Sequence, residues 1–145
     1  MVIAIVNGPN LNLLGRREPD LYGHTSFEEH LTLLRRLFPG VEIRYYQSNV
    51  EGEIINHLQQ AGFGGAHGIV LNAGAYSHTS LAIADTIKAL PVPVIAVHIT
   101  NVHSREPERR TDLLLGACKG NISGLGLDGY TLAMQFLTHS YPAGN

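Results

Sequence analysis

Cysteine, lysine and charge are all scarce in this chain, and each scarcity closes off a class of function. Cys118 is the only cysteine, so no intrachain disulfide can form and a reducing compartment is expected. Lysine occurs only as Lys88 and Lys119. One falls in a helical stretch and the other in a late turn, so an imine-forming mechanism has no obvious nucleophile. Charged residues make up 15% of the 145, with a formal net charge of −2, which argues against a nucleic-acid partner. No apolar run approaches the length of a membrane span, and the N-terminus has no basic region or cleavage site of an export signal, so a cytoplasmic protein away from membranes is expected. The eight histidines form no His-Glu-x-x-His pattern or Cys/His cluster, so no metal is expected. Gly124, Gly126 and Gly129 have dinucleotide-loop spacing, but only sixteen residues follow, too few for the second strand and acidic ribose ligand of such a site. There is no Gly-Lys-Ser/Thr phosphate loop either, and no cofactor is expected.

What is present is enough apolar residue, 44% of the chain, to bury one core; residues 1–145 read as a single domain. The chain is organised around its first two dozen residues. Val2 to Val6 form an unbroken apolar run, as in a strand covered on both faces of a parallel sheet. Asn7, Gly8, Pro9 and Asn10 stop it, and a long charged loop with Arg16, Arg17, Glu18, Asp20 and Tyr22 closes on Gly23. Such a loop at the carboxyl end of a central strand is where open α/β sheets keep their chemistry.

Further along, Ser26 and Glu29 have capping-box spacing before a helix that Pro39-Gly40 ends. Val41, Ile43 and Tyr45 alternate with polar residues as in an edge strand. Ser48 and Glu51 predict a second capping box, opening a helix with Gly62 as its stop. A third strand covers Ile69 to Leu71, a helix runs from about Thr79 to Leu90, and a fourth strand spans Val92 to Ile99. Asn121 to Leu125 is a candidate fifth strand and Tyr130 to His139 a closing helix. Alternating strands and helices predict a five-stranded parallel sheet with helices on both faces, a flavodoxin-like three-layer α/β sandwich of order 2-1-3-4-5. In that order the carboxyl ends of strands one, three and four adjoin, bringing Asn10, Asn72 and His98 to one crevice.

A phenol with a pKa near 10 acts as a base at neutral pH only where cations favour its anion. Arg16 and Arg17 lie within reach of Tyr22 in sequence, although a solvated loop with a surface tyrosine has the same spacing. His98 closes an apolar strand, as either a satisfied core residue or, beside two other polar strand ends, a general acid or base. His78 and Asp85 read as two positions on one helix about 10.5 Å apart along its axis, too far for one small molecule to touch both within one subunit; Asp85 alone is equally an exposed helix-face residue.

The run NGPNLNLLGRREPDLYG resembles the N-terminal motif of type II 3-dehydroquinate dehydratases. LNAGAYSHTS and VHITNVHSRE resemble that family's later motifs, in the same order. The resemblance implies dehydration of 3-dehydroquinate to 3-dehydroshikimate in the shikimate pathway, without a cofactor or Schiff base. It gives Tyr22 as base, Arg17 as its cationic partner, Asn10 as a contact to the enolate oxygen and His98 as acid. Asn72, His78, Asp85, Arg109 and the backbone at Ile99 and Thr100 would bind substrate, and Arg105 is a further cation near Tyr22. The loop Leu11 to Tyr22 is expected to close over substrate. The family also implies trimers assembled into a homododecamer, with Asp85 reaching a neighbouring subunit's site.

The resemblance breaks at two places. The family typically has Glu two residues before the histidine, where this chain has Ala96, and RRTDLLL replaces the usual His/Ser-containing continuation after Arg109. In a strand, i and i+2 share a face, so the missing carboxylate would have sat beside the imidazole. The expectation is turnover lowered by about 10- to 100-fold, unless Glu106 or Glu108 takes its place. The alternative is a paralogue that binds a shikimate-like ligand without turning it over. An anion- or flavin-binding module of the same fold would need neither Tyr22 nor His98.

Overall fold

Strand β1 (Val2–Asn7) has no exposed residue, and the rest of the chain is laid around it. In the computed structural model, which describes residues 1–142, β1 pairs in parallel with β2 (Glu42–Gln47) on one side and β3 (Gly68–Asn72) on the other. Then come β4 (Val94–His98) and β5 (Gly120–Ser123), completing the order β2-β1-β3-β4-β5. Every pairing is parallel. β3 and β4 are buried along their whole length, which is why both read as unbroken apolar runs rather than alternating ones. The less buried β2 forms an edge, as its alternation predicts.

The helices divide between the two faces. One core joins Ile3, Ile5, Val70, Ile95 and Val97 of the sheet to α2 (Phe27–Leu37) and α5 (Asp128–Ser140), through Phe27, Leu31, Leu34, Tyr130, Met134 and Leu137. The other joins Ala4, Val6, Ile69, Leu71 and Val94 to α3 (Glu51–Phe63) and α4 (Leu81–Ala89), through Ile54, Leu58, Ile83 and Ile87. Successive strand residues point to opposite faces, so both layers are anchored on the same strands. Among the described residues, no helix is long and apolar enough to cross a membrane.

Several boundaries differ from those expected, each for a local reason. Ser26 caps α2, accepting from the Glu29 N–H. The second box does not form: α3 starts at Glu51 with Val50 at its cap position, while Ser48 accepts from the Val50 N–H and hydrogen-bonds Glu53. Gly62 does not end α3, which runs to Phe63; Gly62 is buried in it, where a Cβ would come within 2.7 Å of Leu90. β4 begins at Val94 because Pro93 has no N–H for the ladder. β5 stops at Ser123 because Gly124 turns left-handed at φ 85°. The loop after β1 contains an unforeseen short turn of helix, α1 (Pro19–Tyr22).

Gly8 marks where β1 leaves the sheet. Its N–H donates to the Asn72 carbonyl at 2.7 Å, and a Cβ there would lie 2.5 Å from the Ala73 carbonyl oxygen. That obstacle is backbone and cannot rotate aside. Gly8→Ala is expected to lower the unfolding free energy by about 1–3 kcal/mol through overpacking, measured by denaturant titration. An unchanged midpoint would contradict so close an approach.

Candidate active site

The carboxyl ends of β1, β3 and β4 open into one cleft of about 600 Å³, its open mouth included. Asn10, Arg17, Tyr22, Asn72, His78, His98, Ile99, Thr100, Arg105 and Arg109 all line it. They come from three separate stretches of sequence. The sheet order alone brings them together, since β1, β3 and β4 are consecutive neighbours at the switch point.

Tyr22 sits at the end of α1, half-buried, with two guanidiniums on its oxygen. Arg105 donates to it at 2.8 Å and Arg17 at 3.2 Å. Both cations also lie near the ring, 5.7 and 4.6 Å from its centroid. Arg17 shares its charge with the exposed Glu18, at 3.1 Å. The Arg105 side chain is only 12% exposed, and its Nη1 also reaches Thr100 Oγ1 at 3.5 Å. Because Arg105 follows β4 and Tyr22 follows β1, this contact folds the loop 11–22 onto the cleft.

Asn10 begins the loop in the left-handed region, at φ 69°, a conformation asparagine tolerates better than most residues. Its N–H donates to Asn49 Oδ1 at 3.0 Å. Asn72, at the end of β3, is held by a buried network: its Nδ2 donates to Tyr130 Oη at 2.9 Å, and that hydroxyl donates to Asn7 Oδ1 at 2.8 Å. Asn72 Oδ1 accepts from the Gly74 N–H at 3.1 Å. Burial pushes the Tyr130 phenol far above its ordinary pKa, so it stays a neutral donor that fixes the amide. Tyr130 and Asn7 carry no sequence signal for this: one starts the closing helix, the other reads as a turn former.

His98 closes β4 and is 8% exposed. Its Nε2 lies 2.8 Å from Asp112 Oδ2, with the two side chains only 10% and 6% exposed. The second Asp112 oxygen accepts from the Leu114 N–H at 2.8 Å. Burial by itself would raise the Asp112 pKa, but the bonds to His98 and Leu114 and the charges of His98 and His78 outweigh it and hold the carboxyl below its ordinary range. Nearby Cys118 is pushed up to about 12 by burial and by the Asp112 charge, which rules out a thiolate there at neutral pH. His78 donates Nδ1–H to the Thr111 carbonyl at 2.6 Å, and its ring stacks on His98 with centroids 6.1 Å apart.

A family model described as Dehydroquinase class II matches residues 1–138. The chain belongs to the class II dehydroquinase family. It is 51% identical over 138 residues to the 3-dehydroquinate dehydratase of an Exiguobacterium species, covering 94% of each chain. It is 45% identical over 146 residues to that of Fusobacterium nucleatum, covering 97% of this chain and 99% of the other. The crystal structure of the type II dehydroquinase of Butyrivibrio crossotus superposes with a TM-score of 0.92 at 42% identity, over 95% of this chain and 97% of that one.

One expectation about site residues needs correction, and one alternative is not met. His78 and Asp85 do not share a helix: His78 ends a 3-10 turn (Gly74–His78), Ser80 caps α4, and Asp85 lies within α4. Asp85 is exposed and does not line the cleft of its own chain. Nor do Glu106 or Glu108 replace the carboxylate absent at Ala96. Glu106 is exposed and bonded to Arg109 at 2.7 Å, with Arg105 at 3.8 Å, and Glu108 is exposed at the cleft's outer edge beside His78 and Arg109. The carboxylate beside His98 belongs to Asp112. It lies within the RRTDLLL stretch that departs from the family pattern, so that departure was the available signal.

Proposed function

We propose that this protein catalyses the reversible dehydration of 3-dehydroquinate to 3-dehydroshikimate, a step of the shikimate pathway, by anti elimination through an enolate. The observation that carries the reading is the Tyr22 oxygen, bonded by two guanidiniums in the cleft that His98 also lines. A negative oxygen requires such surroundings, and a neutral surface tyrosine does not.

Tyr22, as phenolate, takes the proton from C2, and the C–H electron pair moves toward the C3 ketone to form the enolate. Arg17 and Arg105 stabilise negative charge on the phenolate before transfer and near the enolate after it. Asn10, through a water, hydrogen-bonds the enolate oxygen. Collapse of the enolate forms the C1–C2 double bond and breaks C1–O, and His98 protonates the departing hydroxyl so that it leaves as water. Asn72, His78, Arg109 and the backbone at Ile99 and Thr100 hold the substrate's carboxylate and hydroxyls. The loop 11–22 closes further on bound substrate and excludes solvent. Neither Lys88 nor Lys119 lines the cleft, in keeping with a route that forms no imine.

Asp85 acts on the site of a neighbouring subunit in a homododecamer built from trimers. Leu81 lies one turn before it on the same helix face and is 67% exposed, an apolar residue suited to a subunit contact. Asp85→Ala is expected to reduce kcat/KM by about 10-fold, the scale of one lost charge-assisted hydrogen bond. Unchanged kinetics in an oligomer of unaltered mass would remove Asp85 from the site.

The reaction itself is tested by ultraviolet absorbance, because the product's conjugated enone absorbs and the substrate does not. The purified protein should generate the absorbance and release product. A folded oligomer that binds 3-dehydroquinate without any rise would favour the ligand-binding paralogue.

A further inference from the structure

Asp112 reaches His98 from a part of the chain that has no regular structure. The segment 111–114 is nonetheless tied down at each residue. The Thr111 carbonyl accepts from His78 Nδ1–H at 2.6 Å, and the Leu113 N–H donates to the Ser77 carbonyl at 2.8 Å. Asp112 bridges His98 and the Leu114 N–H, and the Leu114 side chain is 1% exposed in the core shared with α3 and α4. One short strap therefore grips both histidines of the cleft. Ala96 and His98 are two apart on β4, on the face opposite Ile95 and Val97, and Val94 of that same face packs in the core that receives Leu114. A side chain as long as glutamate at position 96 would compete with Asp112 for the same imidazole; alanine leaves that place free.

We infer that Asp112 is the positioning residue that orients His98 as proton donor to the departing hydroxyl, filling from the 111–114 strap the role that Ala96 leaves vacant on the strand. The Asp112 carboxylate accepts Nε2–H, which fixes the orientation of the ring and leaves Nδ1 as the nitrogen whose proton is given away. When Nδ1 has released it, the neutral ring keeps its remaining proton on Nε2, still bonded to Asp112, ready to be recharged. Asp112 touches no reacting atom and acts only through His98. The inference rests on His98 being the acid of the proposed reaction. It also removes the reason for the lowered turnover expected from Ala96: with Asp112 on the imidazole, Ala96→Glu in the otherwise unchanged protein should bring no gain in kcat, because it would place two carboxylates on one imidazole.

The test compares Asp112→Asn, Asp112→Ala and the double variant Asp112→Ala/Ala96→Glu. Asn keeps the acceptor for the Leu114 N–H and the shape of the strap while removing the charge. Both single variants should lose about 10- to 100-fold in kcat with KM changed less than about 3-fold, and the double variant should recover most of that loss. In proton NMR, a downfield imidazole N–H resonance should be present in the wild type and absent in Asp112→Ala. Wild-type kcat in Asp112→Asn and Asp112→Ala would overturn the inference while leaving the proposed reaction standing. If the wild type itself fails to turn over 3-dehydroquinate, the reaction falls instead, and the NMR signal decides separately whether Asp112 holds His98. A resonance absent from the wild type, or unchanged in Asp112→Ala, shows that it does not.

Discussion

Tyr22→Phe is expected to lower kcat by about 10³-fold, roughly 4 kcal/mol of transition-state stabilisation, while KM changes little. The change removes one atom, the oxygen to which Arg17 and Arg105 both donate. It leaves the ring that Arg17 and Arg105 face, so the loop keeps its packing and the substrate-binding groups stay in place. The two cations then confront each other without the intervening oxygen, which shifts them toward solvent or toward Glu18 and Glu106, their carboxylate neighbours. Steady-state kinetics with circular dichroism as a folding control make the comparison. A variant that keeps more than about a tenth of wild-type kcat would mean that the proton goes to some other group.

Arg105→Ala should cost about 10²-fold in kcat, on the scale of removing one preorganised donor from a developing charge. Its bond to the Tyr22 oxygen is the shorter of the two, 2.8 against 3.2 Å, and its side chain is the less exposed, 12% against 28%. Arg17→Ala should cost no more than that, because part of its charge is already engaged by Glu18. Both cations act on one oxygen, so the double variant should fall short of the product of the single losses. Arg105→Lys should restore little: the guanidinium faces Tyr22 through Nη1 and Glu106 through Nε, two separate nitrogens that a single ammonium cannot replace. Strict multiplicativity of the two losses would show that Arg17 and Arg105 serve different atoms.

The fold was legible because its signals are periodic and local. The apolar run of β1, the alternation of β2, the Ser26 cap and the alternation of strand with helix together imply the order 2-1-3-4-5. That order in turn puts Asn10, Asn72 and His98 at one place before any side-chain contact is known. The misread boundaries lie where one residue decides between two local arrangements: Ser48 turns to Val50 and Glu53 instead of capping α3, and Pro93 delays β4. Asp112 was not legible as a partner of His98. The stretch from Thr100 to Lys119 holds only two short 3-10 turns, Val102–Ser104 and Pro107–Arg109, and carries no periodicity from which a side-chain direction can be read. Contact between residues fourteen apart there depends on how the strap docks against Ser77 and the core around Leu114. The Tyr130 hydroxyl was hidden differently, since the start of the closing helix carries no polar pattern that points to the strand ends, and only the buried amides of Asn7 and Asn72 show what its oxygen is for.

The most direct measurement uses 3-dehydroquinate carrying deuterium at a single C2 position, with product analysed for retained label. Elimination through Tyr22 and His98 removes the C2 hydrogen anti to the departing C1 hydroxyl. Deuterium on that face should be lost from the 3-dehydroshikimate formed, with a primary isotope effect wherever proton removal limits the rate, and deuterium on the other face should be retained. Retention of the anti label with loss of the syn label would contradict the account.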